Sequence, residues 1–353
     1  MKIAMAAGGT GGHIYPALTL AEALKERGHE VVFFGSRDRM ESEIIPKSEF
    51  TFIPLDIVST QGNVLTKIKS LLSLNKAYAR CKRLLDGYDM VIGFGNYISI
   101  PVIMAGKSRG LKTVIHEQNS FVGKANKYLD TKVDLVIGSY KEDKEQFKNP
   151  NTLILGNPQG YRALRIKEEK KVIEDLGLDP NKKTVVIFMG SLGSETVNKI
   201  MLDYFNLTDG SYQIVYATGK SYYKEDIEKL PKRDYIKVFE RIDGIRVMKA
   251  SDLLISRAGA TTLCEIIATG MPSLLIPSPY VPNNHQYYNA KSLVDNGAAL
   301  MIEEKDLTCE KLNEMVNSII NNEATLKNLS LNARKMSNDS VLEDIVKEIE
   351  KIW

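Results

Sequence analysis

The residues best suited to chemistry open the chain: Gly8-Gly9-Thr10-Gly11-Gly12-His13, set between an apolar run at 3–7 and a helix-like stretch from Pro16. Glycines at a strand-to-helix turn let backbone N–H groups crowd round an anion, and the helix that follows adds a field favourable to phosphate. The four glycines cost conformational entropy that a plain turn does not need. The turn is therefore expected to hold a ligand, with His13 beside whatever the phosphate carries.

Other stretches carry related chemistry. Gly190-Ser191-Leu192-Gly193-Ser194 follows an apolar run and opens a helix, which suits a phosphate or equally a tight turn. In Arg257-Ala258-Gly259-Ala260-Thr261-Thr262-Leu263-Cys264-Glu265, residues 260–262 can offer helix-start N–H groups to a diphosphate. Glu265, about one turn in, can accept the hydroxyls of a ribose. After a proline-punctuated loop comes His285-Gln286-Tyr287-Tyr288-Asn289, whose neutral polar groups suit sugar hydroxyls. In the first half, His116-Glu117-Gln118-Asn119 ends one strand pattern. Gly93-Phe94-Gly95-Asn96-Tyr97-Ile98-Ser99 ends another and is expected to form a second anion-binding turn. Residues 64–85 hold six basic residues and no acid, with Lys67, Lys69 and Lys76 interleaved among Leu65, Ile68, Leu71 and Leu72. That pattern suits a surface resting on an anionic bilayer, and also a core-facing helix with a solvated back.

Positioning such loops takes strands and helices in alternation. Apolar runs at 3–7, 31–34, 90–93, 113–116, 135–138 and 153–155 alternate with helical patterns. The pattern restarts with runs at 184–189, 213–217, 236–239, 253–256, 273–276 and 299–302, with helices between them, one at 222–229. Continuous apolar runs are the mark of buried parallel strands. The class is therefore α/β: two Rossmann-like doubly wound domains, with ligands at the strand C-termini and in the cleft between them. The divisions expected are 1–156, 157–335 and a final helix in 336–353 packing back across the join.

The 353 residues are 43% hydrophobic with net charge +3. Residues 1–160 carry 21 Lys/Arg against 16 Asp/Glu, too mild an excess to suggest nucleic acid but compatible with an anionic surface. Cys81, Cys264 and Cys309 show no metal or redox spacing, which fits a reducing compartment. The start of the chain reads as a strand without a signal-peptide core, and no apolar run is long enough to span a bilayer.

The ordered motifs, from the 8–13 loop through 116–119, Gly156-Asn157-Pro158 and 256–265 to 285–290, resemble the MurG family of GT-B glycosyltransferases over almost the whole chain. The resemblance implies inverting transfer of N-acetylglucosamine (GlcNAc) from UDP-GlcNAc to the C4 hydroxyl of N-acetylmuramic acid (MurNAc) in lipid I, undecaprenyl-pyrophosphoryl-MurNAc-pentapeptide. The product is lipid II, made at the cytoplasmic face of the bacterial membrane in cell-wall synthesis. It implies donor contacts at Thr10, Gly11, Gly12, Asn119, Arg162, Ser191, Ile242, Ala260, Thr261, Thr262, Glu265, His285 and Gln286. Acceptor contacts fall at Gly8, Gly9, Gly95, Asn96, Tyr97 and Ser99, with the acceptor's pyrophosphate meeting the glycine loops at 8–12, Gly11 and Gly12 included, and 95–99; membrane contact falls in the 64–85 region.

An inverting transfer needs a base on the acceptor hydroxyl and stabilisation of the departing UDP. His13 is the expected base, since imidazole titrates near neutral pH; Glu117 is the alternative. No cofactor is expected. No Asp-x-Asp metal motif occurs in the sequence, so no protein metal site is expected, although a divalent cation can assist. The chain departs from the family pattern at Gln159 and Gly160, where an arginine usually contacts the donor; Arg162 is the candidate replacement. Leu192, Arg241, Asn96, Ile100 and His285 depart as well. A GT-B transferase acting on diacylglycerol and a non-catalytic nucleotide-sugar binder are the competing functions. A dehydrogenase is disfavoured by the irregular glycine spacing.

Overall fold

Strand β1 (Lys2–Ala6) is apolar after its first residue because it lies mid-sheet, buried on both faces. The computed structural model describes residues 1–353 except 59–63, 168, 191–192 and 220–232, with side chains at all described positions but 64, 65, 67 and 282. The helix expected at 222–229 lies outside the described residues. The chain forms two compact units, residues 1–161 with 338–353, and residues 162–337.

In the first unit β2 (Glu30–Ser36), β3 (Thr51–Leu55), β4 (Met90–Gly93), β5 (Lys112–His116), β6 (Leu135–Gly138) and β7 (Thr152–Ile154) join β1 in a parallel sheet of order β3-β2-β1-β4-β5-β6-β7. The apolar runs do not predict β3, whose Pro54 interrupts it. Pro54 is tolerated because β3 is an edge strand and needs to pair on one side only. The winding reverses between β1 and β4, so their C-terminal ends flank the switch point where doubly wound folds bind ligands.

The second unit repeats the plan. β8 (Thr184–Phe188), β9 (Gln213–Ala217), β10 (Ile236–Phe239), β11 (Leu253–Ser256), β12 (Ser273–Leu275) and β13 (Leu300–Met301) take the order β10-β9-β8-β11-β12-β13, again parallel. Here the reversal lies between β8 and β11.

The units divide at Tyr161 and Arg162, a little beyond the Gly156-Asn157-Pro158 turn. The last two helices of the chain have different allegiances. Glu323–Lys335 belongs to the second unit. Val341–Ile352 returns to the first, where Val341, Leu342, Ile345, Val346 and Ile349 are buried against Leu20, Leu24 and β1. Arg27 and His29 meet Glu350 at its far end, each at 3.1 Å. The helix is thus a structural part of the first sheet's cover. Ile345→Ala is expected to cost about 2–5 kcal/mol through the cavity it leaves, read as a lower urea midpoint for the first unit's unfolding.

Candidate active site

The first switch point is built from three loops. The 8–13 loop leaves β1 and enters the Gly11–Glu26 helix, with Thr10 as N-cap. Thr10 makes no capping bond because its hydroxyl lies 3.0 Å from His13 Nδ1. That contact fixes the half-buried imidazole at the first helical turn. Helix geometry leaves the N–H groups of Gly11 and Gly12 without intrahelical acceptors. The imidazole lies against Gly95, at the exit of β4: a Cβ there would stand 3.4 Å from both His13 Cδ2 and Asn126 Nδ2.

The 116–119 stretch ends β5 and is dominated by internal hydrogen bonds. His116 Nε2 donates to Gly156 O at 3.0 Å, and Nδ1 accepts from Gln118 Nε2 at 3.1 Å. A carbonyl cannot donate, so this histidine is the Nε2–H tautomer. Burial pushes its pKa down to about 4, against a smaller raising effect of the Gly156 bond. Glu117 is 2% exposed. Its Oε1 accepts from Gln118 N, Asn119 N and Asn119 Nδ2, all at 3.1 Å. Its Oε2 accepts from Gly123 N at 3.0 Å and Asn126 Nδ2 at 2.9 Å. Behind it Asp143 is fully buried; Oδ2 accepts from Ser139 N and Tyr140 N, and Oδ1 has no partner. Burial raises the Asp143 pKa to about 8 despite those two bonds.

In the second unit the Ala260–Thr269 helix starts at the exit of β11, with Gly259 as an N-cap that makes no side-chain bond. Ala260, Thr261 and Thr262 form its first turn, and Glu265 is buried on the next. Thr261 Oγ1 is buried without a partner. Arg257 ties the surrounding loops together. It donates to Ile276 O at 3.1 Å, Pro277 O at 3.3 Å and Ser194 Oγ at 2.6 Å, and pairs with buried Glu304. The loop after β12 is held by Ser278 N donating to Gln286 Oε1 at 2.9 Å. Beside it lies a cavity of about 330 Å³, lined in part by Pro277, Pro279, Tyr280, Tyr287 and Glu304.

Residues 3–137 match the glycosyltransferase family 28 N-terminal domain and residues 184–349 the family's C-terminal domain. The crystal structure of Acinetobacter baumannii MurG superposes with a TM-score of 0.80 at 25% identity, covering 99% of each chain. The UDP-N-acetylglucosamine–N-acetylmuramyl-(pentapeptide) pyrophosphoryl-undecaprenol N-acetylglucosamine transferase of Thermoanaerobacter sp. (strain X514) is 36% identical, with 100% of each chain covered. The chain belongs to the MurG family. The transferase of the same name from Bacillus subtilis (strain 168), also in the MurG family, is 36% identical over 94% of this chain and 93% of its own.

Several positions suggested by the MurG pattern are occupied otherwise in this chain. Glu117 is corrected from a candidate base to a loop anchor, since both its oxygens are saturated by N–H donors. Ser99 is fully buried and its hydroxyl bonds Gly95 O and Ala6 O, which removes it from the acceptor set. Residues 96–99 are not a loop: the Asn96–Ser108 helix begins there. Asn96 spends its amide on Gly8 O at 3.2 Å and its carbonyl on Tyr97 N at 2.6 Å. The Gly9 N–H is taken by Glu41 Oε2 at 2.9 Å. These bonds correct the Asn96 side chain and the Gly9 N–H from ligand groups to braces between loops, and close the Tyr97 N–H within its own helix start. Arg162 is exposed on the Gln159–Arg165 helix; Ile242 and His285 are half-buried. Ser191 lies outside the described residues, as do the side chains of Leu65 and Lys67.

Glu41, Asn126, Asp143 and the loop-clamping role of Arg257 escape sequence reasoning, because acids, amides and arginines on short elements look like surface. Among the described residues no group of His, Cys, Asp and Glu is arranged to hold a metal.

Asp143 holds a proton in the folded chain up to about pH 8 and in the unfolded chain only near its ordinary 3.8. Its contribution to stability is full below that lower value and is lost as pH rises to about 8. His116 acts oppositely: its contribution is present above 6.5 and lost as pH falls to about 4. Asp143→Asn is expected to abolish the decline in thermal midpoint between pH 6.5 and 8, where His116 is silent; an unchanged slope would show that Asp143 is ionised when folded.

Proposed function

We propose that this chain transfers GlcNAc from UDP-GlcNAc to the C4 hydroxyl of MurNAc in lipid I, forming lipid II with inversion at the anomeric carbon. What carries the proposal is the end-to-end likeness to transferases of that name, joined to a histidine held at the first unit's switch point.

His13 is the base. In the tautomer that donates Nδ1–H to the Thr10 hydroxyl, Nε2 is the nitrogen assigned to take the proton of the acceptor C4–OH. The freed oxygen attacks the anomeric carbon from the face opposite the diphosphate, and the C1–O bond to UDP breaks as the new bond forms. Charge on the departing UDP is met by the helix-start N–H groups of Ala260, Thr261 and Thr262, a preorganised arrangement that needs no rearrangement during reaction. Glu265 takes the ribose hydroxyls, Ile242 offers its backbone to uracil, and His285 and Gln286 face the sugar. We assign the acceptor pyrophosphate to the N–H groups of Gly11 and Gly12. No step in this scheme calls for a resident metal or cofactor.

The reading extends to the membrane. Ile68, Leu71 and Leu72 are 52%, 63% and 57% exposed on the Val64–Leu84 helix, beside exposed Lys69 and Lys76. Its inward side packs Ala77 and Cys81 into the core, with Leu74 and Tyr78 against it and Ser70 and Ser73 buried alongside. An outward apolar stripe edged by lysines favours an anionic bilayer surface. Among the described residues no helix is long and apolar enough to cross a membrane. On that stripe and the family likeness we place the protein peripherally on the cytoplasmic face, where lipid I presents its sugar.

Incubation with UDP-GlcNAc and a soluble lipid I analogue is expected to yield the disaccharide product by mass spectrometry. Turnover on diacylglycerol instead would sink the assignment. His13→Ala is expected to lower kcat by about 10²–10⁴-fold while UDP-GlcNAc binding, measured by calorimetry, persists. Leu71→Ser with Leu72→Ser is expected to weaken sedimentation with anionic vesicles and leave turnover of the soluble analogue intact.

A further inference from the structure

We propose that Glu41 is a positioning residue for the transfer: it holds the 8–13 loop in shape and occupies the anion seat at the Gly9 N–H, leaving Gly11 and Gly12 for phosphate. The proposal rests on the assignment of that loop to the acceptor.

Glu41 opens the short Glu41–Ile44 helix and is fully buried. Its Oε2 accepts from Gly9 N and its Oε1 from Ser36 N, both at 2.9 Å. Gly9 follows β1 and Ser36 ends β2, which pairs with β1, so one carboxylate ties the exits of two neighbouring strands. Two glycines make room for it. A Cβ on Gly8 would lie 2.3 Å from Oε1, and one on Gly35 would lie 2.7 Å from Cγ. From the other side Asn96 Nδ2 donates to Gly8 O, and a Cβ on Gly9 would stand 2.0 Å from that nitrogen. The loop is gripped between a carboxylate and an amide.

Among the described residues no Lys or Arg forms an ion pair with Glu41. Its partners are backbone N–H groups, and an apolar side chain of similar size would leave both without acceptors. The same carboxylate closes the Gly9 N–H to an incoming phosphate. The open N–H groups then begin at the helix start, next to His13. A shift at Gly9 passes along the chain to Thr10 and His13, and misplacement by about 1 Å can cost about a hundredfold in rate.

Glu41→Gln in the full chain keeps size but offers one acceptor oxygen and an NH2 donor to two N–H groups. With UDP-GlcNAc and a soluble lipid I analogue, the acceptor KM is expected to rise and kcat to fall, together by about tenfold or more. The KM for UDP-GlcNAc, whose assigned residues lie mostly in the second unit, is expected to stay put. Unchanged acceptor kinetics, or an equal loss in both KM values, overturns the proposal. A second measurement on the unaltered chain covers a variant that fails to fold. Amide exchange is expected to be slow at Gly9 and fast at Gly11 and Gly12, with the latter two slowed by the analogue; equal rates at Gly9 and Gly11 overturn the assigned seat. Absence of turnover in the unaltered chain would count against the transferase reading, while the exchange pattern would still test Glu41.

Discussion

A parallel sheet wound outward in both directions from a central strand sends every strand's C-terminal end to one edge and leaves a gap where the winding reverses. Both candidate binding sites of this chain follow from that winding. In the first unit the gap lies between β1 and β4, and the loops leaving those strands carry His13 and Gly95. In the second it lies between β8 and β11, at the foot of the Ala260–Thr269 helix. Two uncharged helix starts, with no acid in either first turn, are left pointing at these gaps.

Gaps alone would not hold loops still. The chain steadies them with buried polar side chains that take backbone groups as partners. Glu117 folds residues 117–123 round one carboxylate, Glu41 ties β1 to β2, and Arg257 gathers the carbonyls after β12 with the N-cap of the Glu195–Leu207 helix. Buried charge is costly unless every bond is made, and these bonds stiffen the loops that carry the candidate catalytic and phosphate-binding groups. His116 belongs to the same framework, held neutral by burial and stacked on Phe94 with ring centroids 5.5 Å apart.

Much of the frame was legible in the sequence because its signals are local. Buried parallel strands are continuous apolar runs, and those runs mark every strand described here except β3. Pro54 hides that strand, since edge pairing is invisible without neighbours. The glycine turns were legible as turns. What each N–H donates to was not, because Gly9, Asn96 and Tyr97 look alike in one dimension whether they face ligand or protein.

The α/β class, the doubling of the plan, the family, and the positions of the 8–13 and 259–262 turns are all written along the chain. Each follows from periodicity, turn chemistry and ordered motifs along the chain. Which polar groups remain for a ligand depends on the folded neighbourhood of each. Asn96 and Ser99 donate to the carbonyls of Gly8 and Ala6, far off in the chain, Glu117 is spent on N–H groups within residues 118–126, and the Val341–Ile352 helix covers a sheet that begins at Lys2. Hydrogen-bond capacity is finite, and what spends it is set by neighbours in space.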